Sequence, residues 1–214
     1  MKKIRAIIFD LDGTLIDSSD GVVEAVNYSL TKMGRPVQPA ERIKAYIGFP
    51  LAVMYPDFTD APLDELYEHF RVKAAETVVL STVALPGADD ALRTLYRRGF
   101  RLAVASTKIR PHIDGVVQKF SWSGLLGAWS GGDEVANVKP APDIFHLTLD
   151  RLGIVASEAV VVGDTINDVQ AAQAVPMKVV AVRSPYGSHD DLRASRPDYV
   201  LNSVAELPEL MKSI

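Results

Sequence analysis

Short apolar runs alternate along this chain with stretches of helical periodicity, and this alternation limits the possible folds more than any other feature. The apolar runs cover residues 4–9, 102–105, 128–129, 159–162, 178–182 and 199–201. Helical patterns lie near residues 86–98, 110–120, 141–152, 166–174 and 189–194. Strands that alternate with helices of about 10–15 residues are typical of βαβ units on a parallel sheet. We therefore expect an α/β fold with a Rossmann-like, mostly parallel sheet flanked by helices.

One long stretch interrupts the alternation. Residues 19–80 carry helical patterns and no convincing strand, and Gly34 is placed to end the first of these helices. The simplest arrangement is a small helical domain inserted after the first strand. The sequence thus predicts an α-helical domain at residues 17–82, inserted into an α/β core made of residues 1–16 and 83–214.

Composition and charge exclude several functional classes. The chain has 214 residues, of which 48% are hydrophobic, so a sizeable core is available. Its net charge of −4 lacks the basic footprint of a general nucleic-acid binder. The absence of cysteine excludes disulfides and thiolate zinc sites. No apolar run approaches the ~18 residues of a membrane span. We expect a cytoplasmic protein with no nucleic-acid or membrane partner, and the sequence does not indicate an oligomeric state.

Acidic and hydroxyl side chains follow three of the predicted strands. In open α/β sheets, ligands bind beyond the carboxyl ends of the strands. If the three strands are neighbours, three or four carboxylates and a hydroxyl crowd one edge of the sheet. The segments concerned are Asp10-Leu11-Asp12-Gly13-Thr14, Ser106-Thr107-Lys108 and Gly163-Asp164-Thr165-Ile166-Asn167-Asp168.

Such a group of carboxylates requires a counter-charge, because like charges brought together cannot all stay ionised. Asp10 and Asp12 are two residues apart, so an extended backbone directs both side chains to one face. Ligands that are all oxygen indicate a hard cation; Mg²⁺ fits best, and Ca²⁺ would require more protein oxygens. Lys139 is the candidate for a second positive group facing an anionic ligand.

Four motifs resemble, in their order, those of the haloacid dehalogenase superfamily. They are DLDGTLIDS (10–18), ASTK (105–108), VKPAPDIF (138–145) and VVGDTINDVQAA (161–172). The resemblance covers essentially the whole chain and is closest to the phosphoglycolate-phosphatase-like branch, which has a helical cap. It implies a Mg²⁺-dependent phosphomonoester hydrolase acting on a small anionic metabolite, with 2-phosphoglycolate as the first candidate, through an aspartyl-phosphate.

The resemblance also implies roles for individual residues. Asp10 would be the nucleophile, Asp12 the general acid and base, and Lys139 the cation that bridges the phosphoryl group to Asp10. The dehalogenases of the superfamily lack a carboxylate at the position of Asp12, which favours phosphate esters as substrates. The expected substrate-binding residues of the core are Thr14, Ser106 and Thr107. The expected metal-binding residues are Asp10, Asp12 through its carbonyl, Asp164, and Asp168 through water.

The cap is expected to exclude water and to bind the leaving group. A helical pattern stops at Tyr46-Ile47-Gly48-Phe49, which makes Gly48 a candidate contact, although a helix C-cap with a buried aromatic explains it equally well. Arg71 is the best candidate for a carboxylate or phosphate clamp, because arginine binds such groups bidentately; a solvated helix face is its structural alternative. The four histidines show no metal-ligand spacing, and we assign them no role.

Other functions share these motifs. A phosphosugar mutase resembling β-phosphoglucomutase differs only in whether a sugar hydroxyl or water meets the phosphoaspartate, and an inorganic pyrophosphatase is a further enzyme alternative. The non-enzyme alternative is a phosphate-binding or phospho-switch module. Asp12 argues against a durable switch, because it supplies a group that speeds turnover.

Overall fold

The computed structural model describes residues 3–186 and 188–214. Within these ranges the strands are β1 (Ala6–Phe9), β2 (Ile16–Asp17), β3 (Val83–Ala84), β4 (Arg101–Ala105), β5 (Leu126–Ser130), β6 (Ala159–Gly163), β7 (Lys178–Val182) and β8 (Tyr199–Leu201). The helices are α1 (Ser19–Lys32), α2 (Ala40–Lys44), α3 (Leu51–Met54), α4 (Leu63–Ser81), α5 (Ala88–Arg97), α6 (Arg110–Lys119), α7 (Asp143–Leu152), α8 (Ile166–Ala174), α9 (His189–Ala194) and α10 (Leu207–Leu210).

Six strands form a parallel sheet in the order β5-β4-β1-β6-β7-β8. The strands read as nearly continuous apolar runs because helices cover both faces of the sheet. Successive side chains alternate between two cores: Ile7 and Phe9 belong to one apolar cluster, and Ala6 and Ile8 belong to the other. The predicted α/β class is confirmed, and each of the six apolar runs corresponds to one strand of this sheet.

Helices α1 to α4 form what we call the helical segment (residues 19–81), which has an apolar cluster of its own that includes Leu30, Tyr55 and Leu66. The two strands at its ends, β2 and β3, pair antiparallel and form a second small sheet. The sequence reasoning missed β2 and β3, because two residues are too few to show periodicity. The domain bounds at residues 17 and 82 stay a prediction. In the described part of the chain, no helix combines the length and apolar character needed to cross a bilayer.

A lysine of the sheet region holds the end of the helical segment. Lys119, the last residue of α6, donates hydrogen bonds to the carbonyl oxygens of Val79 (3.0 Å), Leu80 (2.6 Å) and Thr82 (2.7 Å). These carbonyls belong to the last turn of α4 and the residue after it, where helix carbonyls lack intrahelical partners. A cation at a helix C-terminus is also stabilised by the helix dipole. Lys119 therefore ties α4 to the sheet region.

We expect Lys119→Met to lower the free energy of unfolding by about 1–2 kcal/mol, because three carbonyls lose a charged donor. Urea denaturation followed by circular dichroism measures this change. Lys212→Met is the matched control. Among the described residues, the Lys212 ammonium pairs only with exposed Glu209, and such pairs contribute about 0–1 kcal/mol. Equal effects of the two substitutions would show that Lys119 contributes nothing beyond a surface charge.

Candidate active site

Three buried carboxylates meet at the carboxyl ends of two neighbouring strands. Asp10 follows β1, and Asp164 and Asp168 lie in the segment that follows β6. One carboxylate oxygen of each lies within 4.8 Å of the other two. The backbone N–H of Asp10 donates to the carbonyl of Val162 at 2.8 Å, which extends the β1–β6 pairing up to the site. The structure thus brings together three of the four aspartates that the sequence analysis selects as metal-binding residues.

The turn after β1 explains how Asp164 can approach so closely. Gly13 has a φ of +81°, and a Cβ on this residue would lie 2.1 Å from Oδ2 of Asp164. A residue with a side chain would therefore collide with the carboxylate, in addition to the cost of the left-handed backbone. The Thr14 hydroxyl donates to Oδ1 of Asp164 at 2.9 Å. The turn and this hydrogen bond fix the position of Asp164.

Asp168 is held by the first turn of α8. The Thr165 hydroxyl (2.7 Å) and the Thr165 backbone N–H (3.0 Å) both donate to Oδ2 of Asp168. The N–H of Asp168 donates back to the Thr165 hydroxyl at 3.3 Å, which completes a capping box at the start of the helix. One oxygen of Asp168 is thus used locally, and Oδ1 faces the centre of the site.

Lys139 lies at the centre of the acidic group and is only 2% exposed. Its ammonium donates to Oδ1 of Asp10 (2.8 Å), Oδ1 of Asp168 (2.6 Å) and the carbonyl of Ala105 (2.7 Å). A lysine ammonium has three protons, and all three are used. Burial lowers the pKa of Lys139, but the charges of Asp10 and Asp168 outweigh burial and raise the pKa above its usual value. The lysine is therefore charged.

One ammonium does not balance three buried carboxylates. Burial raises the pKa of Asp10 to about 7; the charge of Asp168 adds to this rise and Lys139 opposes it. Burial, with the charges of Asp10 and Asp168, also raises the pKa of Asp164 well above its ordinary value. The excess negative charge and the oxygen-only donor set fit a hard divalent cation between Asp10 and Asp164.

The Asp12 carboxylate lies apart from the three-carboxylate group and has its own partners. The Ser18 hydroxyl donates to Oδ1 of Asp12, and the Lys108 ammonium lies 3.1 Å from Oδ2. The Lys108 ammonium also donates to the Ser18 hydroxyl at 3.3 Å. The sequence analysis assigned no role to Lys108. The sequence does contain a signal for this contact, because Lys108 is a cation two residues beyond Ser106. It follows β4, the strand that pairs with β1.

A cavity of about 690 Å³ lies between the helical segment and this edge of the sheet. Its lining includes Asp12 and Thr107 from the sheet side, and Gly48 and Arg71 from the helical segment. Ser106 lies next to it, and its buried hydroxyl accepts the backbone N–H of Lys108 at 3.2 Å. The structure therefore places most of the expected substrate-binding residues at or beside one cavity. Thr14 is the exception, because its hydroxyl is bound to Asp164.

His112, to which the sequence analysis gave no role, also lines this cavity. Burial and the nearby charge of Lys108 lower the pKa of His112 to about 4, so its ring is neutral near pH 7. Nothing in the sequence around His112 indicates this position, since it depends on how α6 packs against the helical segment.

A parallel sheet with acidic groups at its carboxyl edge occurs in proteins of several functions, and the comparison with protein families decides between them. Residues 7–182 match the family model of the haloacid dehalogenase-like hydrolases. The chain belongs to this family, so the expected family is confirmed. Together with the phosphoglycolate phosphatases described next, the match also confirms the expected enzyme class, a phosphatase.

Among the relatives of this chain are bacterial phosphoglycolate phosphatases, which match over more than nine-tenths of their own length. The phosphoglycolate phosphatase of Pectobacterium atrosepticum is 32% identical over 97% of this chain and 92% of its own length. The phosphoglycolate phosphatase of Escherichia coli K12 is 29% identical over 95% of this chain and 91% of its own length. A crystal structure of a predicted phosphatase from Clostridium acetobutylicum superposes with a TM-score of 0.91 over the whole of both chains at 24% identity, which shows the fold.

Proposed function

We propose that this protein is a Mg²⁺-dependent phosphomonoester hydrolase that acts on small phosphorylated metabolites through an aspartyl-phosphate on Asp10. The observation that carries the proposal is the Lys139 ammonium, which bonds Oδ1 of Asp10 at 2.8 Å inside the buried acidic group. Oδ2 of Asp10 accepts no hydrogen bond from the described residues, so it is the oxygen available for attack. Asp12, two residues on, lies beside the cavity that would hold the leaving group.

In the first step, Oδ2 of Asp10 attacks phosphorus, and the bond from phosphorus to the ester oxygen breaks. The Asp12 carboxyl gives its proton to the departing alkoxide. In the second step, Asp12 takes a proton from water, the water oxygen attacks phosphorus, and the bond to Asp10 breaks to release phosphate. A carboxylate nucleophile divides one difficult displacement into two easier ones, and a positioned acid and base contributes about 10²–10⁴-fold.

The donor set indicates which residues would hold Mg²⁺. The side chains of Asp10 and Asp164 and the backbone carbonyl of Asp12 are our ligand set. Asp168 is already bound by Lys139 and Thr165, so it would act through water. When bound, Mg²⁺ would offset charge on the phosphoryl oxygens and on the surrounding carboxylates.

The remaining assignments follow from the neighbours of each residue. Ser106 and the backbone of Thr107 would hold the phosphoryl group at the end of β4. We move Thr14 from substrate binding to the support of Asp164, because its hydroxyl is used there. Gly48 and Arg71 would contact the leaving group across the cavity. The carboxylate of 2-phosphoglycolate suits Arg71, and two curated relatives carry that substrate in their names, which makes it the first substrate to assay.

We expect Asp10→Asn to lower kcat for p-nitrophenyl phosphate and 2-phosphoglycolate by at least about 10³-fold, because the amide is a poor nucleophile. The change preserves size and an acceptor for Lys139, so the variant should fold. Steady-state phosphate release measures the loss, and Asp64→Asn, an exposed aspartate on α4, is the control. Wild-type turnover by folded Asp10→Asn would refute a covalent role for Asp10.

We expect Mg²⁺ to raise the melting temperature by roughly 5–10 °C at about 100 times its Kd, and chelation by EDTA to abolish hydrolysis. Asp164→Asn should lose most of this Mg²⁺-dependent shift while melting no lower than wild type without metal, because one of three repelling carboxylates is neutralised. Differential scanning calorimetry measures both. Asp60→Asn, whose side chain is 85% exposed, should keep the full shift. The metal assignment fails if both variants respond like wild type.

We expect Lys108→Met to reduce kcat about 10- to 100-fold with little change in KM, because Asp12 loses the cation that holds it in place. Lys108→Arg should restore part of the loss, since a guanidinium can reach the same carboxylate. Steady-state kinetics with one small substrate separates kcat from KM. A rise in KM at constant kcat would instead assign Lys108 to substrate binding.

A further inference from the structure

The cavity beside Asp12 lies where the leaving group of the substrate would bind. Asp12 lines the cavity, and the proposed mechanism has Asp12 protonate the leaving oxygen. The group attached to that oxygen therefore extends into this cavity and not toward the three-carboxylate group.

The cavity lies where the helical segment docks on the sheet region, and it is partly open to solvent. A Cβ on Gly48 would lie 2.8 Å from Cγ2 of Thr165, so the backbone of the helical segment touches the loop that holds Asp168. Lys119 holds the end of α4, whose residues Val78 and Val79 line the cavity. The volume of about 690 Å³ is thus the space that remains after the two parts have met.

The walls of the cavity are mostly apolar. Helix α4 contributes Phe70 and Val78, the rest of the helical segment contributes Ile43 and Met54, and the sheet side contributes Ile109 and Val138 among others.

Most of the charged side chains in the cavity wall already have a hydrogen-bond or ion-pair partner. Lys108 is paired with Asp12, and Asp133 accepts the backbone N–H of Arg110 at 2.7 Å. Arg71 differs, because among the described residues its side chain has no hydrogen-bond or ion-pair partner. The cavity therefore offers one available cation and a large apolar surface.

A two-carbon leaving group uses little of this space. Pockets of about 300–1,000 Å³ hold drug-sized ligands, and their walls are mainly apolar, as here. Glycolate has a single CH₂ group and a carboxylate, so it can bind Arg71 but leaves the apolar wall without a partner.

We propose that the same site has a second substrate class, phosphomonoesters whose leaving alcohol is a medium-length alkyl group. The proposal rests on the proposed phosphomonoesterase function, because it places the ester oxygen at Asp12. The apolar wall binds such a leaving group by removing it from water. Small anionic esters are bound differently, because their carboxylate pairs with Arg71.

The test is kcat/KM for ethyl, butyl and hexyl phosphate at saturating Mg²⁺. These alcohols have nearly equal leaving-group pKa values, so a trend reports binding and not intrinsic reactivity. Each CH₂ group that enters an apolar site contributes up to about fourfold, so we expect kcat/KM to rise at least about tenfold from ethyl to hexyl. A flat or falling series in an enzyme that hydrolyses ethyl phosphate and 2-phosphoglycolate would overturn the inference and leave the proposed function standing. An enzyme that hydrolyses none of these esters would overturn both.

Two substitutions on α4 test whether the alkyl group binds in this cavity. Ala75 is exposed on α4 and lines the cavity, so Ala75→Phe places a ring in the space without disturbing the core. We expect it to reduce the hexyl-to-ethyl ratio of kcat/KM to about one. Val72→Phe adds the same ring on the same helix outside the cavity lining, where Val72 is 56% exposed, and should keep the ratio of the wild type.

Arg71→Gln separates the two substrate classes. It should lower kcat/KM for 2-phosphoglycolate about tenfold or more, because a charged partner of the carboxylate is lost. The hexyl-to-ethyl ratio should stay within about twofold of wild type. A ratio that collapses in Arg71→Gln, or one that persists in Ala75→Phe, would show that the apolar leaving group binds elsewhere, and would overturn the inference.

Discussion

The hydrogen bonds of one buried ammonium determine the arrangement of this site. Lys139 joins Asp10 at the end of β1, the carbonyl of Ala105 at the end of β4, and Asp168 on α8. Removing a partner from a buried ion pair typically costs about 3–5 kcal/mol, because it leaves an uncompensated charge. These elements meet because β1 lies between β4 and β6 in the sheet. The order of the strands and the chemistry of the site are thus one constraint.

The hydrogen bonds of Lys139 also explain how the three carboxylates can lie close together in a buried site. Lys139 compensates Asp10 and Asp168 directly, whereas Asp164 is held by the Thr14 hydroxyl and by the turn at Gly13. Asp164 therefore carries the part of the charge that the protein leaves for a cation. In the proposed function a cation and a phosphoryl group would occupy this site together, and each would make binding of the other more favourable because their charges are opposite.

Most of this arrangement could be predicted from the sequence, because it follows from where strands end. Apolar runs predicted the six strands of the main sheet, and polar residues directly after them predicted which side chains would share an edge. Contacts between distant parts could not be predicted. The pairing of Lys108 with Asp12 joins residues 96 positions apart and depends on the placement of β4 beside β1. The contact of Gly48 with Thr165, and with it the cavity, depends on how the helical segment docks, which no local pattern encodes.

The sheet region and the helical segment would contribute differently to the selectivity for substrates. In the proposed function the edge of the sheet binds the phosphoryl group, so discrimination among esters would depend on the helical segment. An apolar wall discriminates weakly between neighbouring homologues, since each methylene group contributes about 0.8 kcal/mol, whereas a site built around a charge strongly prefers ligands that satisfy it. Arg71 and the apolar wall occupy the same cavity but act through different forces. A chain can therefore keep the catalytic edge unchanged and change its preferred ester by substituting a few residues on one face of α4, where exposed positions such as Ala75 have little effect on folding.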